Sequence, residues 1–513
     1  MINSCAVYGM RGYGLLVEVD VGSGLPAFDI VGLPDAAVRE SKERVRTALL
    51  NAGYDFPLRR IVVNLAPADV KKEGSALDLP IAIGILAATG QIKAPRLLAE
   101  CAILGELSLE GAVRPVSGVL PMADFLRAEE QIKNLYLPAS NAEEAALTGG
   151  LQVFGLRHLR DLVDTLRGEA VLPPTQTDIN ALLAAAGREQ TPDMSEVKGQ
   201  EGVKRALEIA AAGGHNILLL GPPGSGKTML ARRLPGIMPP LTLQECLETT
   251  KIYSIAGLLP RGQAVIATRP FRAPHHGAST ASIVGGGTNP KPGEVSLASH
   301  GVLFMDEMPE FSRDVLEALR QPLEDHVVTV ARVLARVEYP ADFQLVAAMN
   351  PCPCGYWGDS LKQCCCTPYA RQRYLQKISG PLLDRIDLHI EVPRVQYSDL
   401  SAHRQQTAVE SSATMRQRIE QARKRQSQRF AGKPFSINAR MGRKELEKCC
   451  ALDETAAALL GDAFRHLQMS ARAHDRILKV ARTIADLEES ERVSAEHLAE
   501  AMQYRSLDRD SSM

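Results

Sequence analysis

The stretch Asn216-Ile-Leu-Leu-Leu-Gly-Pro-Pro-Gly-Ser-Gly-Lys-Thr-Met-Leu-Ala-Arg-Arg233 constrains the fold more than any other part of the chain. Four apolar residues, 217–220, read as a buried parallel strand, and the residues after Thr228 continue as a helix. The loop between them, Gly221, Pro222, Pro223, Gly224, Ser225, Gly226, Lys227 and Thr228, fits the spacing G-x-x-x-x-G-K-[ST]. Backbone N–H groups of such a loop wrap phosphate oxygens, and the helix N-terminus adds favourable dipole. Lys227 is placed to reach the terminal phosphates and Thr228 to ligate Mg²⁺. The implied fold class is α/β.

A phosphate loop by itself says only that nucleotide binds. Downstream, Gly301-Val-Leu-Phe-Met-Asp306-Glu307 gives another apolar strand with two carboxylates at its C-terminal end, where open α/β sheets place their ligands. Asp306 is expected to hold Mg²⁺ and Glu307 to polarise the attacking water. The chemistry is then ATP hydrolysis. Asn350 ends the strand-like run Phe343–Met349, where its amide can orient that water. Arg385, in Leu382-Leu-Asp-Arg385, is suited to act on a neighbouring copy's nucleotide, and Arg472, early in a helix begun by Ser470, to reach the chain's own phosphates.

The 513 residues are enough for about three domains. Net charge is −1, so no global basic field advertises nucleic acid, and a binder must rely on local clusters. The longest apolar stretch, 79–89, is too short and broken to span a bilayer. The first residues lack a basic segment followed by an apolar core, and ten cysteines in this length make no disulfide scaffold; both point to a reducing cytoplasm.

Residues 1–167 alternate strand-like runs (Leu15–Val21, Arg60–Leu65, Asn134–Leu137) with helical ones such as Ala36–Ala52. A Pro-rich linker covers 168–195. Residues 196–395 carry the nucleotide motifs, with a cysteine insert at 352–366. Residues 396–513 read as a helical lid, where Ile477, Val480, Ala481, Ile484 and Leu487 form an apolar stripe behind an N-cap at Ser470.

Val197-Lys-Gly-Gln200, the loop 221–228, Arg269-Pro-Phe-Arg-Ala-Pro-His-His276, Val284-Gly-Gly-Gly287, 301–307, Ala347-Ala-Met-Asn-Pro351, Ser379-Gly-Pro-Leu-Leu-Asp-Arg385 and Val480–Asp486 together resemble the magnesium-chelatase-like AAA+ ATPases of the ComM/YifB type. The resemblance runs end to end. It implies an AAA+ P-loop core with a helical C-terminal lid, assembled as a homo-hexamer. It also implies branch migration of single-stranded and branched DNA during natural transformation, with recombination proteins as further partners. By resemblance Asn350 is the first sensor, Arg385 the arginine finger and Arg472 the second sensor.

Residues 1–167 resemble the Lon-type proteolytic domain through Lys72-Glu-Gly-Ser75-Ala and Gly105–Leu120. Ser75 falls near the nucleophile position, but Leu120 stands where that family has its lysine, and leucine accepts no proton. The domain is expected to be peptidase-inactive, with Lys71 and Lys72 as the available substitutes for the base.

Five cysteines crowd into 352–366. Two short hooks, Cys352 with Cys354 and Cys364 with Cys366, suit tetrahedral Zn²⁺, while Cys365 points away. For DNA, Lys291 in a Gly/Pro-rich insert, and Arg332 with Arg336 on an expected hairpin at 326–339, can track phosphates without reading bases. The basic stretch 416–444 has ten Lys/Arg and one acid, Glu420, and its single sign tilts it toward phosphate contact. His275 and His276 read as loop structure or an inter-subunit contact. The expected function is an ATP-driven hexameric DNA motor with ATP, Mg²⁺ and structural Zn²⁺. The rivals are a chelatase-type motor subunit or chaperone acting on protein, and a protease.

Overall fold

The computed structural model describes every residue except 71, 73, 187–191, 261, 288–289, 333–334, 360, 395–409, 467–469 and 506–513. The chain divides into two compact units. One comprises Met1–Gly187, Thr242–Ala267 and Ala331–Glu338, and the other Arg188–Leu241, Thr268–Val330 and Tyr339–Met513.

The first unit is built on a seven-stranded mixed sheet. Ile2–Tyr8 and Arg11–Gly22 form an antiparallel pair, and Arg11–Gly22 pairs again with Arg60–Ala66. On the other side Cys101–Ile103, Asn134–Pro138 and Gln152–Leu156 add in parallel. Side chains alternate across the sheet, so its two faces bury separate cores. Val17, Val63 and Leu65 meet helices Ala36–Asn51 and Asp78–Ala88. Cys5, Leu135 and Val153 meet helix Val119–Ala128. Helix Leu243–Ala256 also belongs here, although its sequence lies within 196–395. The reason is a buried carboxylate. Glu144 accepts from the backbone N–H of Leu120, the Nδ2 of Asn141 and the hydroxyl of Ser254, and Lys251 pairs with Asp124 at 2.7 Å.

In the same unit Leu120, which stands where the Lon-type family has its lysine, is buried. Ser75 donates its hydroxyl to Glu106 rather than to an amine. The Lys72 ammonium is spent on the carbonyls of Pro67 and Val70, and Lys71 lies outside the described residues.

The second unit has a five-stranded, all-parallel sheet. Its order is Phe271–Arg272, Val302–Met305, Gln344–Met349, Ile217–Leu220 and Leu388–Glu391. The three central strands are buried along their length, as their unbroken apolar runs require. The lid helices pack into the same core, which contains Ile217 and Leu219 together with Ile477, Val480, Ala481 and Ile484. Helix Ala471–Leu487 starts as expected, with the Ser470 side chain accepting from the Ala473 N–H.

For five arginines of the basic stretch 416–444 the expectation of phosphate contact is corrected. Arg416 donates to the Gly236 carbonyl, Arg418 pairs with Glu208 at 2.6 Å, and Arg423 donates to the Ala211 carbonyl at 2.7 Å. Arg425 pairs with Glu489 at 2.9 Å, and Arg429 with Asp486, whose side chain has no exposed surface. These cations fasten helix Ser412–Arg429 within the unit.

Candidate nucleotide site and cysteine centre

The phosphate loop follows strand Ile217–Leu220 and ends on helix Lys227–Ala231. Gly224 and Gly226 take φ of +77° and +89°, which a side chain would strain. A Cβ at Gly221 would stand 2.4 Å from the Val392 carbonyl oxygen, so only glycine fits there. Gln200, itself left-handed at φ 60°, braces the loop: its Nε2 donates to the carbonyls of Ser225 at 2.8 Å and Pro393 at 3.1 Å.

Gly224 to Thr228, Asp306, Glu307 and Asn350 line one pocket. Lys227 Nζ donates to the carbonyls of Gly221 at 2.7 Å and Pro222 at 3.0 Å, and to Asn350 Oδ1 at 3.3 Å. Burial holds this ammonium below the usual lysine range, against the pull of the Asp306 and Glu307 charges. Thr228 Oγ1 donates to Asp306 Oδ2 at 2.7 Å, so the two expected Mg²⁺ contacts stand side by side. The buried Ser225 hydroxyl has no hydrogen-bond partner among the described residues. An orphaned hydroxyl, a cation folded back on its own loop and left-handed glycines fit a polyphosphate.

Glu307 has left-handed φ, 51°. Such strain is stored at functional sites. Its N–H donates to Asp306 Oδ1 at 3.0 Å. Its carboxylate lies 3.6 Å from His276 Nδ1, and the His275 and His276 rings stand 4.1 Å apart. The loop reading of this histidine pair missed its approach to Glu307. The run Arg269–His276 carried the signal, but nothing in spacing assigns a histidine to a carboxylate across the fold.

Arg385 and Arg472 do not line this pocket. Arg385 is 7% exposed and paired with Glu324. The Glu324 carboxyl is held below its usual range by the Arg385 hydrogen bond, with the charges of Arg385, Arg472 and Arg320 adding to it. Arg472 was expected to reach the chain's own phosphates. Its charge acts instead on Glu324, the carboxylate that pairs with Arg385.

Cys352, Cys354, Cys364 and Cys366 present sulfurs all within 4.8 Å of one another. The spacings are 3.3 Å for Cys352 to Cys354 and 3.6 Å from Cys364 to each. Tetrahedral Zn–S bonds of about 2.3 Å need sulfurs about 3.8 Å apart, so the set fits Zn²⁺ with little movement. The backbone N–H of Tyr356 is the largest cause drawing the Cys354 thiol down to about 6. Cys365 is exposed, outside the group.

Lys291 is exposed on a two-residue strand paired with Gly285–Gly286. Val327–Arg332 and Ala335–Pro340 form the expected hairpin. Arg336 is exposed there, 3.4 Å from Glu338, and the Arg332 side chain lies outside the described set.

Residues 193–400 match the family described as magnesium chelatase, subunit ChlI, and 409–505 match its C-terminal part. Residues 17–141 match the description subunit ChlI of Mg-chelatase. Competence protein ComM of Haemophilus influenzae is 44% identical, covering 99% of this chain and 97% of the relative. The chain belongs to the ComM/YifB family of magnesium-chelatase-like AAA+ ATPases. Other ComM/YifB members are as near: an uncharacterised protein YifB of Salmonella typhimurium is 44% identical, over 99% of this chain and 97% of its own length. An uncharacterised Mycobacterium bovis protein is 42% identical over 98% and 97%. Among the described residues, no helix of this ComM/YifB protein is long and apolar enough to cross a membrane.

Proposed function

We propose that this chain is an ATP-driven hexameric motor that moves branched DNA and promotes integration of single strands during natural transformation. One observation carries the reading. Lys227, Thr228, Asp306, Glu307 and Asn350 line one pocket, while Arg385 stands outside it. A hydrolytic set with no arginine among the described residues that line it is completed by a second copy. Mg²⁺-ATP, when bound, supplies the cleavable phosphoanhydride and a divalent charge. Lys227 holds positive charge against the terminal phosphates, and Thr228 and Asp306 hold the cation. The Glu307 carboxylate takes the proton of the attacking water, and the Asn350 amide orients that water. His276, beside Glu307, sets that carboxylate's direction. Arg385 serves the neighbour's nucleotide, and Arg472 the chain's own. The four cysteines hold a structural Zn²⁺ behind Asn350. Lys291, Arg332 and Arg336 contact DNA phosphates.

The role in transformation rests on the name of the Haemophilus relative, which aligns end to end. The test is ATPase activity with and without single-stranded and four-way-junction DNA, run beside strand exchange. Glu307→Gln should keep nucleotide binding and lose turnover. Normal hydrolysis in that variant, or a chain that stays a single copy with ATP and ignores junctions, refutes the reading. The chelatase-type motor subunit is the second reading, because the first unit also matches a ChlI description. Recovery of a tetrapyrrole-handling partner in a pulldown would favour it.

A further inference from the structure

A trans-acting arginine must leave its own chain's contacts to reach a neighbour's phosphate, and Arg385 has contacts to leave. Its Nη1 donates to the Pro381 carbonyl at 2.6 Å and its Nη2 to Glu324. Its Nε, although buried, has no hydrogen-bond partner among the described residues. The Arg385 backbone is fixed from the other side, where Asn216 Nδ2, at the entrance to the phosphate-loop strand, donates to its carbonyl at 3.0 Å. Glu324 lies on the short helix Arg320–Asp325 with its side chain 52% exposed. The charges of Arg472 and Arg320 also act on this carboxylate, although Arg320 makes its own ion pair with Glu317 at 2.8 Å.

We propose that Glu324 is a positioning residue that parks Arg385: its single carboxylate occupies the place a neighbouring copy's terminal phosphate takes when the ring closes. The proposal rests on the trans role given to Arg385 above. Arg320 is already paired with Glu317, so Arg385 is the cation that Glu324 holds by direct contact. A terminal phosphate brings more charge and three acceptor oxygens, one of which can meet the orphaned Nε. The carboxylate end of the pair is half-exposed, so it can swing into water and be exchanged for an incoming anion. Glu324 thereby sets the nucleotide level at which copies engage.

The experiment uses the full chain with Mg²⁺ and a slowly hydrolysed ATP analogue. Mass photometry gives the analogue concentration at half-assembly, and a fluorescent analogue gives single-chain affinity. Glu324→Gln should lower the half-assembly concentration by about fivefold, with single-chain affinity unchanged. Glu324→Asp should restore the parent value. In an Arg385→Ala background the Glu324→Gln shift should vanish. An unchanged or raised half-assembly concentration overturns the proposal, as does a shift that persists without Arg385. Should assembled Arg385→Ala hydrolyse ATP like the parent, the trans role itself falls. That result is distinct from a silent Glu324→Gln in a protein that Arg385→Ala inactivates.

Discussion

Replacing Lys227 by alanine tests the nucleotide site most directly. The ammonium is 9% exposed and donates to two loop carbonyls and to Asn350. With a phosphate present it trades these neutral acceptors for charged ones. A hydrogen bond to a charged group is worth about 1.5–3 kcal/mol. The two carbonyl bonds given up in the exchange take back part of that, which leaves about 2 kcal/mol, or roughly a 30-fold loss of affinity. The freed carbonyls face an open pocket and rehydrate, so the nucleotide-free protein should melt within a few degrees of the parent. A fluorescent ATP analogue titrated with excess Mg²⁺ reads the affinity, and scanning fluorimetry reads the melting. An affinity change below about threefold would show that the loop amides hold the phosphates without Lys227, and the assignment of its role would fail.

Purified protein should contain one zinc per chain. Cys354→Ser or a chelator should release it and shift the emission of Trp357, the only tryptophan of the chain, while unaltered emission on metal loss would refute the centre. Burial holds the His389 imidazole down to about 3, against about 6.5 in an unfolded chain. The unfolded state therefore takes up the proton first as pH falls. The contribution of this group is complete above about pH 6.5 and is lost progressively toward pH 3. His389→Leu should flatten the decline of melting temperature across that range.

Legibility in the sequence followed the range of the interaction. The phosphate loop, the strand before it and the carboxylates 306 and 307 are local patterns, and each appears where the spacing puts it. The stripe Ile477 to Leu487 has helical period, and its apolar face is buried. The four cysteines come from two short hooks in one turn-rich segment, so their convergence was readable as well. Gln200, His276 and Glu324 were not, because each acts on a group far along the chain. The same holds for helix Leu243–Ala256, whose place is set by Glu144 and Asp124. Arg472 is not among the residues that line the nucleotide pocket, and order along the chain says nothing about which edge of the nucleotide a lid helix approaches.

The basic stretch shows why charge counts mislead, and it leads to the sharpest separation among the cations. Arg429 reads in sequence like Lys291, one positive residue among several. In the structure Arg429 donates to Asp486 at 2.8 Å, and that carboxylate also receives Asn438 Nδ2 at 2.8 Å and Arg482 at 3.0 Å. Removing one partner from a buried pair costs about 3–5 kcal/mol. Here Asn438 and Arg482 remain, so Arg429→Ala should cost about 2–3 kcal/mol of stability. It should leave the salt dependence of DNA binding unchanged, since a guanidinium bound to an internal carboxylate releases no counterion from DNA. Lys291→Ala should do the reverse. It should leave melting unaltered and reduce the slope of log K against log salt by about 0.7–0.9, the value for one phosphate contact. Binding isotherms at several salt concentrations, with melting curves of the same preparations, distinguish the two. If Arg429→Ala flattened the salt slope and Lys291→Ala did not, the division between structural and phosphate-facing cations would be reversed.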